Sequence, residues 1–179
     1  MARVVVLGGS FGGLTAALEV KRLLGKRADV TVVGEDDRFV FLPSLPWLVM
    51  GWRRPADITL GVGDVLRPKG IAFVHEAAQR IDADGSRVVT SLGRELPYDH
   101  LVISTGPHLA FDEIPGLGPD AGHTASVFTL DHAMRLGEAW RRVLESPGPI
   151  VLGSARAVSC FGPSYELVVE VDAELGRRR

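Results

Sequence analysis

The chain has 179 residues, 46% hydrophobic and 23% charged, with a net charge of −2 at pH 7. That balance supports a packed core and argues against disorder, and the scattered Lys and Arg residues argue against a nucleic-acid surface. One cysteine, Cys160, excludes an intrachain disulfide or a Cys-based metal site. The five histidines show no metal-ligand spacing, and no apolar run approaches the ~20 residues that span a bilayer.

The predicted elements alternate strand and helix. Arg3 to Leu7 is a short apolar run stopped by glycines, which reads as a buried parallel strand. A strand this close to Met1 leaves no expected place for a signal peptide ahead of it, and the expected location is cytoplasmic. Gly13, Ala16, Ala17, Val20, Leu23 and Leu24 recur on one helical face that Gly25 ends. Val30 to Val33 is the next strand, completing a βαβ unit with a right-handed crossover. Residues 39–57, with Pro43, Pro46 and Pro55, are expected as loop, and Asp57 to Val65 as a short helix.

From Ile71 to Leu96 the pattern changes. Ile71–Val74, Ser86–Thr90 and Arg94–Leu96 are expected to form a β-meander, with Asp84-Gly85 as a turn signal. His100 to Ser104 is a further buried strand ended by Gly106-Pro107, and Leu130 to Leu144 a helix. Ser146-Pro-Gly-Pro149 reads as a linker. Ile150–Leu152 is then expected as a strand, followed by a helix to about Leu175 with Pro163 in its first turn. Arg177-Arg178-Arg179 reads as a frayed end. The fold class expected is α/β: a Rossmann-like domain with parallel sheet and meander, then the first strand and helix of a second such domain. The expected division is residues 1–109, a connecting segment 110–147, and 148–179 as the start of the second domain. A lone strand and helix leave a sheet uncovered, so that second domain looks unfinished.

The segment that carries chemistry is Gly8-Gly9-Ser10-Phe11-Gly12-Gly13, between the first strand and helix. It is one substitution from the dinucleotide fingerprint G-x-G-x-x-G. Gly8 permits the tight turn and Gly13 lets helix and strand approach, while Ser10 replaces the glycine that faces the pyrophosphate. The Ser10 hydroxyl can itself donate to a phosphate oxygen, and the helix N-terminus favours an anion. Glu35, 22 residues after Gly13, can accept from both ribose hydroxyls and disfavours a 2′-phosphate. The turn alone does not separate FAD from NAD.

Val4 to Gly13, the meander and Tyr98-Asp-His-Leu-Val-Ile-Ser-Thr-Gly106 together resemble the two-dinucleotide-domain flavoprotein reductases, the FAD-dependent pyridine nucleotide-disulfide oxidoreductases. Phe39-Val-Phe-Leu-Pro-Ser-Leu-Pro-Trp47 and Ser159-Cys-Phe-Gly-Pro-Ser-Tyr-Glu166 look like sulfide:quinone oxidoreductases and flavocytochrome sulfide dehydrogenases. The resemblance implies FAD bound by residues 8–13 and Glu35, with Ser104, Thr105 and Gly106 closing over the site and Pro43 in a loop against the flavin ring. It implies sulfide as electron donor and quinone as acceptor. It makes Cys160 one sulfur of a redox disulfide and gives His132 and Glu166 proton handling. Cys160 also lies just ahead of a helix N-terminus, a place that favours thiolate.

Phe128 stands where many such relatives carry a further cysteine, which in some joins the flavin covalently; that bond is not expected here. The second redox cysteine, a later FAD-binding segment and the C-terminal quinone and membrane elements of such enzymes have no counterpart in this sequence. The isolated chain is therefore expected to be inactive and to hold FAD weakly, while the full-length parent can sit peripherally on a membrane. The rivals are an NADH:quinone reductase fragment and a non-catalytic FAD-binding subunit working with a partner chain or as a homo-oligomer. Gly153-Ser-Ala-Arg-Ala-Val158 lacks two glycines that close nicotinamide-dinucleotide approach requires, which disfavours the first rival.

Overall fold

In a computed structural model of the chain, residues 1–156, 158 and 160–177 are described. Ala157, Ser159, Arg178 and Arg179 lie outside them. So do the parts of the Gly153–Val158 turn, the Ser159–Glu166 segment and the frayed end that fall on those positions. The elements in chain order are β1 (Ala2–Leu7), α1 (Phe11–Leu24), β2 (Ala28–Gly34), β3 (Arg38–Val40), α2 (Leu45–Val49), β4 (Thr59–Gly61) and α3 (Val62–Leu66). There follow β5 (Ala72–His75), β6 (Ala78–Asp82), β7 (Arg87–Thr90), β8 (Glu95–Pro97), β9 (His100–Ile103), α4 (Leu130–Glu145) and α5 (Gly162–Arg177). They fall into two compact units, residues 1–40 with 59–108, and residues 41–58 with 109–179.

The first unit is built on a parallel sheet of order β5-β2-β1-β9. β1 pairs β2 from Ala2↔Ala28 to Leu7↔Val33 and β9 from Val4↔His100 to Leu7↔Ile103. Alternate side chains of β1 feed two separate cores, which explains a strand apolar at nearly every position. Val4 and Val6 pack with Leu14 and Ala17 of α1, with Val30 and Val32, and with Val62 and Leu66 of α3. Val5 and Leu7 pack on the other face with Val33 and Val88, joined by Leu96, Tyr98 and Leu101. Each fully buried valine contributes about 1.5–3 kcal/mol, so this double burial is the main stabilising term of the unit.

Several expectations change. Residues 71–74 are not a meander strand: β5 extends the parallel sheet as the neighbour of β2, from Thr31↔Ala72 to Gly34↔His75. The antiparallel sheet is β6-β7-β8, and its first strand, Ala-Gln-Arg-Ile-Asp, is mostly exposed and so shows no apolar alternation. A bulge between Ala78 and Arg80 breaks its period further. Residues 39–57 are not plain loop. They hold β3 and α2, with 3₁₀ turns at Leu42–Ser44 and Pro55–Asp57, and each helical turn carries its proline at a first or second position. Proline loses no helical hydrogen bond there, so the prolines that suggested loop are helix starts. Of Asp57 to Val65, Asp57 closes the 3₁₀ turn, Thr59–Gly61 is β4, and only the residues from Val62 are α-helical.

In the second unit α2 packs on α4, and Gly137 admits the contact because a Cβ there would lie 3.3 Å from the Val49 carbonyl oxygen. The α4 N-terminus is capped by Thr129, whose hydroxyl accepts from the His132 N–H at 3.1 Å. Residues 150–152 form no strand: Val151 is 93% exposed, and a strand needs a partner ladder to satisfy its backbone. Glu170 on α5 is only 7% exposed, yet its Oε2 has no hydrogen-bond partner. Burial, then the neighbouring charge of Glu166, pushes its carboxyl up to about 7, against the Trp47 indole N–H, which donates to it and opposes the rise. Among the described residues no helix is long and apolar enough to cross a membrane.

Two predictions follow from this packing. At Gly13 a Cβ would overlap the Gly8 carbonyl. Helix propensity alone makes Gly13→Ala stabilising by ~1 kcal/mol, whereas the overlap makes it destabilising by about 2–4 kcal/mol. Chemical denaturation decides the sign, and a variant as stable as the parent chain contradicts the fold. The second concerns Glu170. An acid whose folded pKa is raised adds stability below its unfolded value, near 4.5, and loses it as pH rises through about 7. Thermal melting should therefore move down by a few degrees between pH 5 and pH 8, and Glu170→Gln should flatten that slope. Parallel profiles for the two proteins would contradict it.

Candidate functional site

Parallel strands end on one edge of their sheet, and where the loops after them diverge a crevice opens. In the first unit this crevice is a groove of about 290 Å³. It is lined by Leu7 and the turn Gly8, Gly9 and Ser10, and by the end of β2 and the residues after it, Val33 to Asp36, with Arg38. Ala77 and Ala78, after β5, form the far wall, and Thr105, after β9, completes the lining.

The turn has its shape because of what it lacks. Gly8 has φ +109°, and a Cβ on it would run into the Ser104 carbonyl. A Cβ on Gly13 would run into the Gly8 carbonyl, and one on Gly12 into the Ser104 hydroxyl. The turn is thus pressed against the end of β9, whose Ser104 N–H donates to Leu7 O at 2.8 Å, while Gly8 N–H donates to Val33 O at 2.8 Å. Gly9 is the looser position, with its nearest neighbour Val62 at 3.4 Å. Ser10 is the N-cap of α1, but its side chain makes no capping bond, and the first turn of α1 contains no acidic residue. An exposed hydroxyl and an unneutralised positive helix end therefore face the same space.

Opposite the turn, Asp36 is engaged by Arg38, whose backbone N–H donates to it at 2.9 Å and whose guanidinium lies 3.4 Å away. Glu35 is exposed at the groove. Its carbonyl accepts from His75 Nε2 at 3.0 Å, which fixes the backbone beneath it to the end of β5.

Of the residues expected at the site, Gly8, Gly9, Ser10, Glu35 and Thr105 line the groove. Gly12, Gly13 and Ser104 stand behind it as packing, Phe11 turns its ring edge-on to Phe39 at 4.9 Å, and Gly106 is a left-handed turn residue with φ +78°. Pro43, His132, Cys160 and Glu166 belong to the second unit. Pro43 lies in the Leu42–Ser44 turn, and Cys160 is exposed two residues before α5 begins. His132, a surface or capping position by sequence pattern alone, is 9% exposed: Nδ1 is buried without a hydrogen-bond partner, Nε2 is 3.8 Å from Asp120, and the ring lies 5.7 Å from that of Phe111. Glu166 is half-buried one turn before Glu170, and its charge helps to raise the Glu170 carboxyl.

Sequence reasoning missed Asp36, Arg38, Ala77 and Ala78 as lining residues. The signal for the alanines was the end of β5; placing residues 71–74 in the meander moved it away from the edge where crevices form.

The sequence pattern of the family described as pyridine nucleotide-disulphide oxidoreductase matches residues 2–156. The sulfide-quinone reductase of Aquifex aeolicus is 36% identical over 175 residues, covering 98% of this chain and 40% of that protein. An NADH dehydrogenase-like protein of Mycobacterium tuberculosis is 37% identical over 162 residues, covering 88% of this chain and 38% of that protein. The X-ray structure of the sulfide:quinone oxidoreductase from Aquifex aeolicus superposes with a TM-score of 0.92 at 35% identity, over 99% of this chain and 40% of that one. The chain thus spans about 40% of the length of these relatives. Parallel sheet, small antiparallel sheet and glycine turn agree with that match, and the chain belongs to the pyridine nucleotide-disulphide oxidoreductase family.

Proposed function

We propose that this chain is the FAD-holding portion of a sulfide:quinone oxidoreductase-like flavoprotein. The observation that carries the reading is the cradle at residues 8–13, where Gly8 and Gly13 leave no room for a Cβ. That cradle opens onto a groove which Glu35 also lines. Its residues fit the ADP half of FAD. The amides at the start of α1 and the Ser10 hydroxyl donate to the pyrophosphate, the Glu35 carboxylate accepts from the ribose hydroxyls, and Thr105 bounds the space beside them. When bound, FAD supplies a two-electron carrier between sulfide and a quinone.

In this reading Cys160 is one sulfur of the redox disulfide that sulfide attacks, and its exposure ahead of α5 supports that role. The family route starts from a disulfide, so sulfide oxidation requires a second thiol that this sequence does not contain, from a partner chain, a second copy or a longer parent. His132 and Glu166 handle protons in this reading: His132 Nδ1 is buried without a hydrogen-bond partner, and Glu166 lies one turn from Glu170, whose carboxyl its charge helps to raise. Residues 148–179 begin the second dinucleotide-binding-like domain, and the parent works in the cytoplasm at a membrane surface that supplies quinone. A second reading, NADH:quinone reduction, is favoured by the similarity to the mycobacterial NADH dehydrogenase-like protein. The single glycine in the Gly153–Val158 turn weighs against it.

The test is equilibrium titration of the purified chain with FAD, followed by flavin fluorescence. FAD should bind reversibly, ADP should displace it, and Glu35→Gln should weaken it about 10- to 100-fold, the range for losing a charge-assisted pair of hydrogen bonds. Binding unchanged in Glu35→Gln, or no displacement by ADP, overturns the reading.

A further inference from the structure

Glu76 stands immediately before the two alanines that form the far wall of the groove, yet it does not line the groove itself. Its side chain is only 7% exposed, an unusual place for a carboxylate on a short crossover between two sheets. Both its oxygens are committed. Oε2 accepts from the Thr90 hydroxyl, and Oε1 accepts from Arg94 Nε at 3.1 Å, with Arg94 Nη2 at 3.0 Å. The Thr90 hydroxyl accepts in turn from the Arg94 N–H at 3.1 Å, and Thr90 is fully buried. The hydroxyl of Thr90, then the Arg94 guanidinium, hold the Glu76 carboxyl below its usual range.

Ala77, the next residue, accepts from the Ser91 N–H at 2.8 Å, and Ala78 opens the ladder opposite Thr90. The crossover from β5 to β6 is therefore tied at three successive residues to the β7–β8 turn. Residues 76–78 have no helix or strand of their own before Ala78, so these ties fix their path. Two small side chains on a fixed backbone make a flat apolar wall. In the sheet order β1, β2, β5 the turn follows β1, Glu35 follows β2 and these alanines follow β5, so the wall comes after the phosphate turn and the ribose carboxylate, on the side where the base of a nucleotide falls.

We infer that Glu76 is a positioning residue for the base end of the groove: it ties the β5–β6 crossover to Thr90 and Arg94 and so holds Ala77 and Ala78 where the purine of a bound nucleotide lies. The inference rests on the proposal that the groove takes the ADP half of FAD. It adds that affinity for the base depends on a buried side chain outside the groove, in the way that supporting contacts set the precision of a binding site.

The experiment separates the two ends of the ligand. ADP reports both, whereas inorganic pyrophosphate reports the glycine turn alone. Both are titrated into the full chain by ¹H–¹⁵N NMR for the parent and for Glu76→Ala, Thr90→Val and Thr90→Ser. Thr90→Val is nearly isosteric and removes only the hydroxyl, so it reports on the clamp even if Glu76→Ala does not fold. ADP should weaken about 10-fold in Glu76→Ala and in Thr90→Val, pyrophosphate should stay within about twofold, and Thr90→Ser should keep the parent's ADP affinity. The inference is overturned if ADP binds Thr90→Val as it binds the parent, or if ADP and pyrophosphate weaken together. A parent chain that binds pyrophosphate but not ADP overturns it as well, and in that case the proposed function falls first.

Discussion

The tightest glycine position in the first unit is Gly13, in the first turn of α1, where a Cβ would overlap the carbonyl of Gly8, the residue that follows β1. No side chain fits between them. Because that contact is so short, α1 begins at the very edge of the sheet, its positive end aimed along the strand termini. The sheet order β5-β2-β1-β9 then follows from covering both faces of β1, with α1 and α3 on one side and the antiparallel sheet on the other. The groove is the remainder of this arrangement, the space left where the loops after β1, β2, β5 and β9 part.

The same constraint decides how far Ser10 departs from the usual fingerprint. A glycine at that place gives a ligand access to the backbone. Here the position is exposed, and the side chain makes no capping bond to its helix. The hydroxyl is thus spare, and the substitution exchanges backbone access for a donor.

The βαβ unit was legible in the sequence because its signals are local. Four adjacent apolar residues, a glycine turn and one apolar helical face need no knowledge of partners, and the parts of the turn are where their spacing puts them. What was not legible depended on partners distant in sequence. β5 and a meander strand have the same short apolar pattern, and only pairing with β2 distinguishes them. β6 is polar at three of its five positions, and it is a strand because it pairs with β7, from Ala78↔Thr90 to Asp82↔Arg87. Prolines 43, 46 and 55 lie at helix starts that sequence alone reads as loop. His132 is buried against Phe111 and faces Asp120, neither of which its own helical pattern announces. Glu170, the most perturbed acid of the second unit, drew no attention in the sequence because nothing local marks it as buried.

The account stands on one claim, that the edge above β1 and β2 is a site for the ADP half of a dinucleotide. A crystal structure of the chain grown with FAD measures it directly. The account predicts the pyrophosphate on the amides at the start of α1, the ribose hydroxyls on Glu35 and the adenine against Ala77 and Ala78. FAD seated elsewhere on the chain, or its ADP half turned away from the Gly8–Gly13 turn, would contradict it.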